Sequence, residues 1–420
     1  MLPYYTQKSP QEDFFEKAIY FLLLIVTFCL PVFSKVVPVV LQIIVLIAMT
    51  DNVLSGKFKM KTPFALFLLL FFAGWAGLSL LNSPDFEASF YNYKTLLPQY
   101  FVIYWLTISY VKTVRQSIGI IAILLFSALF VSTYGIYQYF SDSLMLTTNW
   151  VDVAYFPTLK TRVFSTLYNP NILGSFLVII LALCFGGIFS KIKMHIRVAL
   201  VFLAIISVVC MVFTFSRTAW LSFLVVLLYI SLLYKRRLLY TLLPISALTL
   251  FLSRDMIVHR FLSVFRSEDT SSLLRFALWE STIAMIHNNP LIGIGWNAYQ
   301  FVYPHYDFFI KNPEVIIYHA HNMYLNIAAE IGLPGLAAFL LLLFQHFFFA
   351  LNVIKKENTE EENALGIGLS SAFLSVLIGG FTDYTLFNIE LASLFWLMSA
   401  VSFVLWRNRT STTNKANICK

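Results

Sequence analysis

Runs of about twenty apolar residues recur along the whole chain, NILGSFLVIILALCFGGIF at 171–189 and LPGLAAFLLLLFQHFFFALNV at 333–353 among them. A stretch of that length in hydrocarbon finds no water for its backbone groups, so it must satisfy them internally as a helix. The 420 residues are 59% apolar and 12% charged, roughly half the charge of a soluble domain. The fold class that follows is all-α: a polytopic membrane protein with about 12 transmembrane helices and one large extracytoplasmic loop containing short helices. Nine spans are expected within 1–253 and three within 334–406, separated by the loop at 254–333 and followed by a polar, disordered tail at 407–420. Expected spans include 96–111, 218–234, 238–253 and 388–406.

In a soluble chain a net charge of +8 would suggest nucleic acid; in this class basic residues mark the cytoplasmic side instead. The clusters Lys57/Lys59/Lys61, Lys191/Lys193/Arg197, Lys235/Arg236/Arg237, Lys355/Lys356 and Arg407/Arg409 then fall together if both termini are cytoplasmic. Cys29, Cys184 and Cys210 lie in spans and Cys419 in the tail, so no disulfide is expected in an outer loop. The long loop is the natural place for function. SSLLRFALWESTIAMIHNNP reads as a helix stopped by Asn-Asn-Pro, and LIGIGWNAYQ as a glycine-punctuated turn.

The last part of the loop, YHAHNMYLNIAAEIGLPG at 318–335, reads as a short surface helix over 320–331 ended by Gly332, with the next span beginning at Pro334. Five of the seven histidines, His259, His287, His305, His319 and His321, fall in the loop. On a helix His319 and His321 would point some 200° apart, so at most one would face a site. A zinc site built from them and His305 has neither the spacing nor the carboxylates it needs. Arg217 sits in the tight connection VFTFSRTAWLSF, Arg162 precedes a span, Arg275 lies on the loop helix, and Asp383 ends a span in GGFTDYTLF. Guanidinium forks match phosphate oxygens, and an imidazole accepts a proton near neutral pH. The set suits either transfer from a phosphate-activated lipid or anion transport.

His321-Asn322, nine residues, then Gly332-Leu333-Pro334-Gly335 fit the pattern H-(N/S/Q)-x9-GxxG. With SRTAW at Arg217 and RFALW followed by NNPLIGIGWNAY around Arg275, the chain resembles the O-antigen ligase family. That family belongs to the ligase and polymerase superfamily of bacterial surface glycans. The resemblance implies a metal-independent, inverting membrane glycosyltransferase of the cytoplasmic (inner) membrane, with no cofactor, acting in lipopolysaccharide or polysaccharide biosynthesis. Its donor would be an undecaprenyl-diphosphate-linked glycan, and its acceptor a hydroxyl of a glycan or lipid A-core-type molecule on the periplasmic side. By the same resemblance His321 is the catalytic base, while Arg217, Arg275, Arg162 and Asp383 bind substrate. Partners are these substrates and membrane lipids, with no nucleic acid.

A repeat-unit polymerase of the same superfamily is the first alternative. Polymerases often carry RX10G motifs, whereas eleven residues separate Arg162 from Gly174 and no glycine stands at that spacing after Arg275, which favours a ligase. A metal-dependent glycosyltransferase using Asp85 and Glu87 is another, although such a pair in a short loop reads first as a solvated turn. A transporter of anionic glycolipids should show paired halves with helices broken at mid-membrane, and the Pro/Gly breaks here cluster at membrane edges.

Overall fold

The computed structural model describes residues 10–56, 64–141, 162–234, 270–308, 316–355 and 358–418. Among the described residues the regular structure is helical throughout. The first eight helices are α1 (Pro10–Val32), α2 (Val37–Ser55), α3 (Phe64–Ser79), α4 (Phe86–Tyr110), α5 (Val114–Phe140), α6 (Pro170–Ile188), α7 (Met194–Phe213) and α8 (Arg217–Tyr234). They are followed by α9 (Thr270–Asn288), the short α10 (Tyr299–Val302), α11 (Met323–Val353), α12 (Glu360–Gly379) and α13 (Ile389–Ile418). Nine of these helices are long and apolar enough to cross a membrane, and the apolar part of α8 is shorter. This is a multi-pass membrane protein. The expected span at 238–253 lies outside the described residues.

Burial separates core from rim. In α13 83% of the apolar stretch lies inside the protein, and in α6 78%, against 28% in α2 and α7, so α6 and α13 are the axis and α2 and α7 face lipid. Lipid is as apolar as leucine, so helices here are held by close packing, which small residues permit. A Cβ on Gly186 of α6 would meet Gly368 N of α12 at 2.7 Å and Ala364 O at 2.6 Å, so only a glycine lets these two backbones approach so closely.

Two boundaries differ from expectation. Helix α4 begins at Phe86, ten residues before the expected 96, because Asp85 caps it by accepting from Ala88 N at 2.9 Å. The stretch NSPDFEASF is therefore a helix start, and Glu87 is exposed on its first turn. Helix α13 runs to Ile418 and so replaces the expected disordered tail; residues 407–418 contain neither proline nor glycine to stop it. Arg407 anchors it by donating to Ile108 O at 2.7 Å and Val111 O at 2.9 Å, the open carbonyls at the end of α4.

The break at Gly332 falls where the sequence puts it. Gly332 has φ 74° and ψ 173° inside α11, and Pro334 follows it without an N–H. Glu330 O thus loses its helical donor and accepts from Gly295 N at 3.0 Å, while Ala329 O accepts from Ile294 N at 2.8 Å. Leu333 N turns outward to Pro290 O at 2.8 Å. The glycine turn LIGIGW therefore plugs the broken helix, and the fit requires no side chain on either part. A Cβ on Gly332 would come within 2.0 Å of Leu291 O, and one on Gly293 (φ 80°) within 2.4 Å of Glu330 O. Asn82 Nδ2 and Trp75 Nε1 hold the turn from below through Gly293 O and Leu291 O. Above it, Leu278, Met285, Ile294, Tyr299 and Tyr303 form a small core of their own that reaches Ala329, making α9 and α10 a cap on this end of the bundle.

Candidate active site

Four of the five expected site residues meet under this cap in two adjoining groups. The first is a pocket of about 170 Å³ lined by Arg217, Thr218 and Leu221 of α8, Arg275, Phe276 and Trp279 of α9, and Thr382. Arg217 is the first residue of α8, and the turn before it is tightly built. Phe215 has φ 50° and is buried, an uncommon backbone for a bulky residue. Ser216 N donates to Thr214 Oγ1 at 3.2 Å. Gly174 lies under the turn: a Cβ there would meet Ala219 Cβ at 2.8 Å and Ser216 Cβ at 3.1 Å. Arg162, itself buried, holds the same turn, with Nε donating to Thr214 O at 2.8 Å and Nη2 to Asn171 Oδ1 at 2.7 Å. Its observed contacts thus brace the segment that presents Arg217.

The second group is an imidazole pair on a buried carboxylate. The expected short helix carrying the histidines is not formed: α11 starts at Met323, because Asn322 caps it by accepting from Tyr324 N and Leu325 N, both at 3.0 Å. The chain before that cap is irregular, and His321 takes φ 48°. His319 and His321 consequently do not diverge by 200°; their ring centroids lie 4.3 Å apart. His321 Nδ1 is 3.2 Å from Asp383 Oδ1, which also accepts from Tyr384 N at 2.8 Å. Two bonds clamp this segment to the α12–α13 connection, Met323 N to Gly380 O at 2.8 Å and Asn322 Nδ2 to Phe381 O at 3.1 Å.

Burial alone would raise the Asp383 carboxyl, but the hydrogen bond and charge of His321, with His319 and Arg275 adding, hold it well below the usual carboxylate range. An ionised carboxylate at Nδ1 fixes the proton there and leaves the lone pair on Nε2. The His321 side chain is 33% exposed and Asp383 6%, so the imidazole is reachable and its partner is not. Burial, with the His321 and Arg275 charges adding to it against Asp383, pushes His319 down to about 3. The two groups join through Thr382-Asp383: Thr382 lines the arginine pocket and shares a 3.0 Å hydroxyl contact with Thr218, and the Arg275 charge acts on Asp383.

Thr382 was not singled out in the sequence, and His319 was expected to point away from any site that His321 faces. Thr382 adjoins Asp383 in FTDY and His319 sits two residues before the motif histidine, but only the loss of helix before Asn322 turns His319 inward. His305 and His287 are exposed on the cap, apart from the pair, and His259 lies outside the described residues. In place of His305, Asp383 completes a cluster with His319 and His321 whose ligand atoms lie within 4.8 Å of one another, a donor set a divalent ion would accept. A larger groove of about 380 Å³ among α5, α6 and α7 is lined almost wholly by hydrocarbon and offers no comparable chemistry.

The described residues thus form a polytopic helical bundle with a capped histidine–carboxylate pair beside a pocket that contains two arginines. Residues 202–340 match the family model described as O-antigen ligase. The match includes Arg217, Arg275 and His321. Arg162 and Asp383 lie beyond it. Among curated proteins none matches the chain.

Proposed function

We propose that this protein is a ligase that transfers a glycan from an undecaprenyl-diphosphate donor to an acceptor hydroxyl at the extracytoplasmic face of the cytoplasmic membrane. The observation that carries the reading is the contact of His321 with buried Asp383 beside a pocket that contains both Arg217 and Arg275. In the reaction His321 Nε2 takes the acceptor hydroxyl proton as the oxygen attacks the anomeric carbon from the face opposite the diphosphate. The carbon–oxygen bond to phosphate breaks, the configuration inverts, and undecaprenyl diphosphate departs with the electron pair. Arg217 and Arg275 bind its oxygens and offset the charge that grows on them. Asp383 holds His321 in the reactive tautomer and stabilises the imidazolium that forms, as a buried carboxylate does in other histidine bases. This gives Asp383 an orienting role instead of the substrate contact expected from sequence. Arg162 acts through the turn it braces.

In this reading Asp383 orients His321 directly and no metal takes part. Transfer by purified protein with a synthetic lipid-linked donor tests it. His321→Ala should lower the rate by about 10²–10⁴-fold while leaving membrane abundance unchanged. Wild-type transfer should continue in EDTA. Full activity of His321→Ala would overturn the base assignment, and EDTA loss reversed by Mg²⁺ or Mn²⁺ would assign the His319, His321 and Asp383 cluster to a cation instead.

A further inference from the structure

We infer that His319 is a positioning residue: by accepting the backbone N–H of His321 it holds the base in the conformation that reaches Asp383. The inference rests on His321 being the base. His321 N donates to His319 Nδ1 at 3.2 Å. His321 needs such a hold, because φ 48° is a region that a residue with a Cβ occupies at a cost of about 1 kcal/mol or more. Its neighbours on the chain are fixed by other means: Ala320 N donates to Asn326 Oδ1 at 3.0 Å, and Asn322 is tied to Phe381 O. Each successive residue from 320 to 322 is therefore pinned by a side chain, and His319 supplies the pin at the reactive one.

The surroundings of His319 suit an acceptor. Its ring packs on Phe387 at 4.7 Å and lies 6.1 Å from Tyr384, between centroids, so it has little room to rotate. Burial and the charges of His321 and Arg275 disfavour its protonated form, and Asp383 opposes them. A neutral imidazole has one nitrogen lone pair. With that lone pair at Nδ1 taken by His321 N–H, the ring proton sits on Nε2. A protonated His319 would have no acceptor to offer and would confront the imidazolium formed on His321 during turnover. Keeping one imidazole of the pair neutral lets the other take the proton.

Two replacements separate an acceptor from a packing role. Asparagine places an amide oxygen near the position of Nδ1 but covers little of Phe387, whereas phenylalanine keeps the ring stack and has no acceptor. Kinetics of the full-length protein in detergent, with a lipid-linked donor, should give His319→Asn a kcat within about 3-fold of wild type. His319→Phe should lose about 10-fold or more in kcat with KM for the donor little changed, because the base is misplaced while the arginine pocket is intact. The reverse order, with phenylalanine active and asparagine inactive, would overturn the inference and make His319 a packing residue. Equal loss in both with raised KM would overturn it too, in favour of a direct substrate contact. His321→Ala, measured alongside, tells this failure from failure of the underlying reading: if that variant retains transfer, there is no base to position.

Discussion

A lysine at 217 or 275 would keep a positive charge in the pocket but not the planar fork that binds two phosphate oxygens at once. If the arginines clamp a diphosphate leaving group, Arg217→Lys and Arg275→Lys should each lower kcat by about 10-fold or more. Near-wild-type rates for both lysine variants would reduce these side chains to a general field. His319 gives a second prediction at this scale. Between the ordinary imidazole value of 6.5 and its native value of about 3, the unfolded chain binds a proton at 319 that the folded protein does not. Stability therefore falls as pH falls through that window. Asp383 acts in the same direction but lower down: its native carboxyl lies below the ordinary 3.8, so its contribution is present above that value and fades beneath it. Melting of the solubilised protein at about pH 7 and about pH 4.5 should show a drop in Tm that is smaller in His319→Asn than in wild type. An identical drop in both would mean that residue 319 titrates normally.

At the scale of elements, the break in α11 and the LIGIGW turn stabilise each other, so the two stretches act as one unit although some 40 residues separate them. Gly332→Ala or Gly293→Ala adds a Cβ where backbone atoms stand 2.0 Å and 2.4 Å away, at φ values of 74° and 80°. Each should cost roughly 1–3 kcal/mol and release the cap. Transfer should drop about as far as in the base variant, while circular dichroism still reports a helical protein, because the spans do not depend on this contact. Loss of helix along with activity would show that the cap is needed for folding itself. The break was legible in the sequence, since glycine and proline mark it directly. The start of α11 was not. The same residues 320–331 suit a helix by spacing, and only the Asn322 side chain, which caps from outside the helix, decides that the histidines stay irregular.

For the whole molecule, hydropathy revealed the class because the bilayer leaves a chain few choices, and four of the motif residues gather at one end of the bundle. Hydropathy could not show that Asp383 belongs to His321, since 62 residues separate them and their contact depends on how α11 and α12 pack. Nor could it show how far α13 extends, because polar residues with no breaker in them permit either helix or coil. Orientation is a property of the same scale and has a direct test. His305 is exposed on the cap, and Glu361 is exposed at the far end of α12, whose other end meets Met323 N through Gly380. The clustering of Lys and Arg predicts that the cap faces outward. Cys29, Cys184 and Cys210 are buried, so with Cys419→Ser a cysteine introduced at either position would be the reactive one. In intact spheroplasts a membrane-impermeant maleimide should label His305→Cys, and it should reach Glu361→Cys only after permeabilisation. The opposite pattern would put the arginine pocket on the cytoplasmic side. A donor presented at the outer leaflet could not reach a pocket there, and the ligase reading would fall with the orientation.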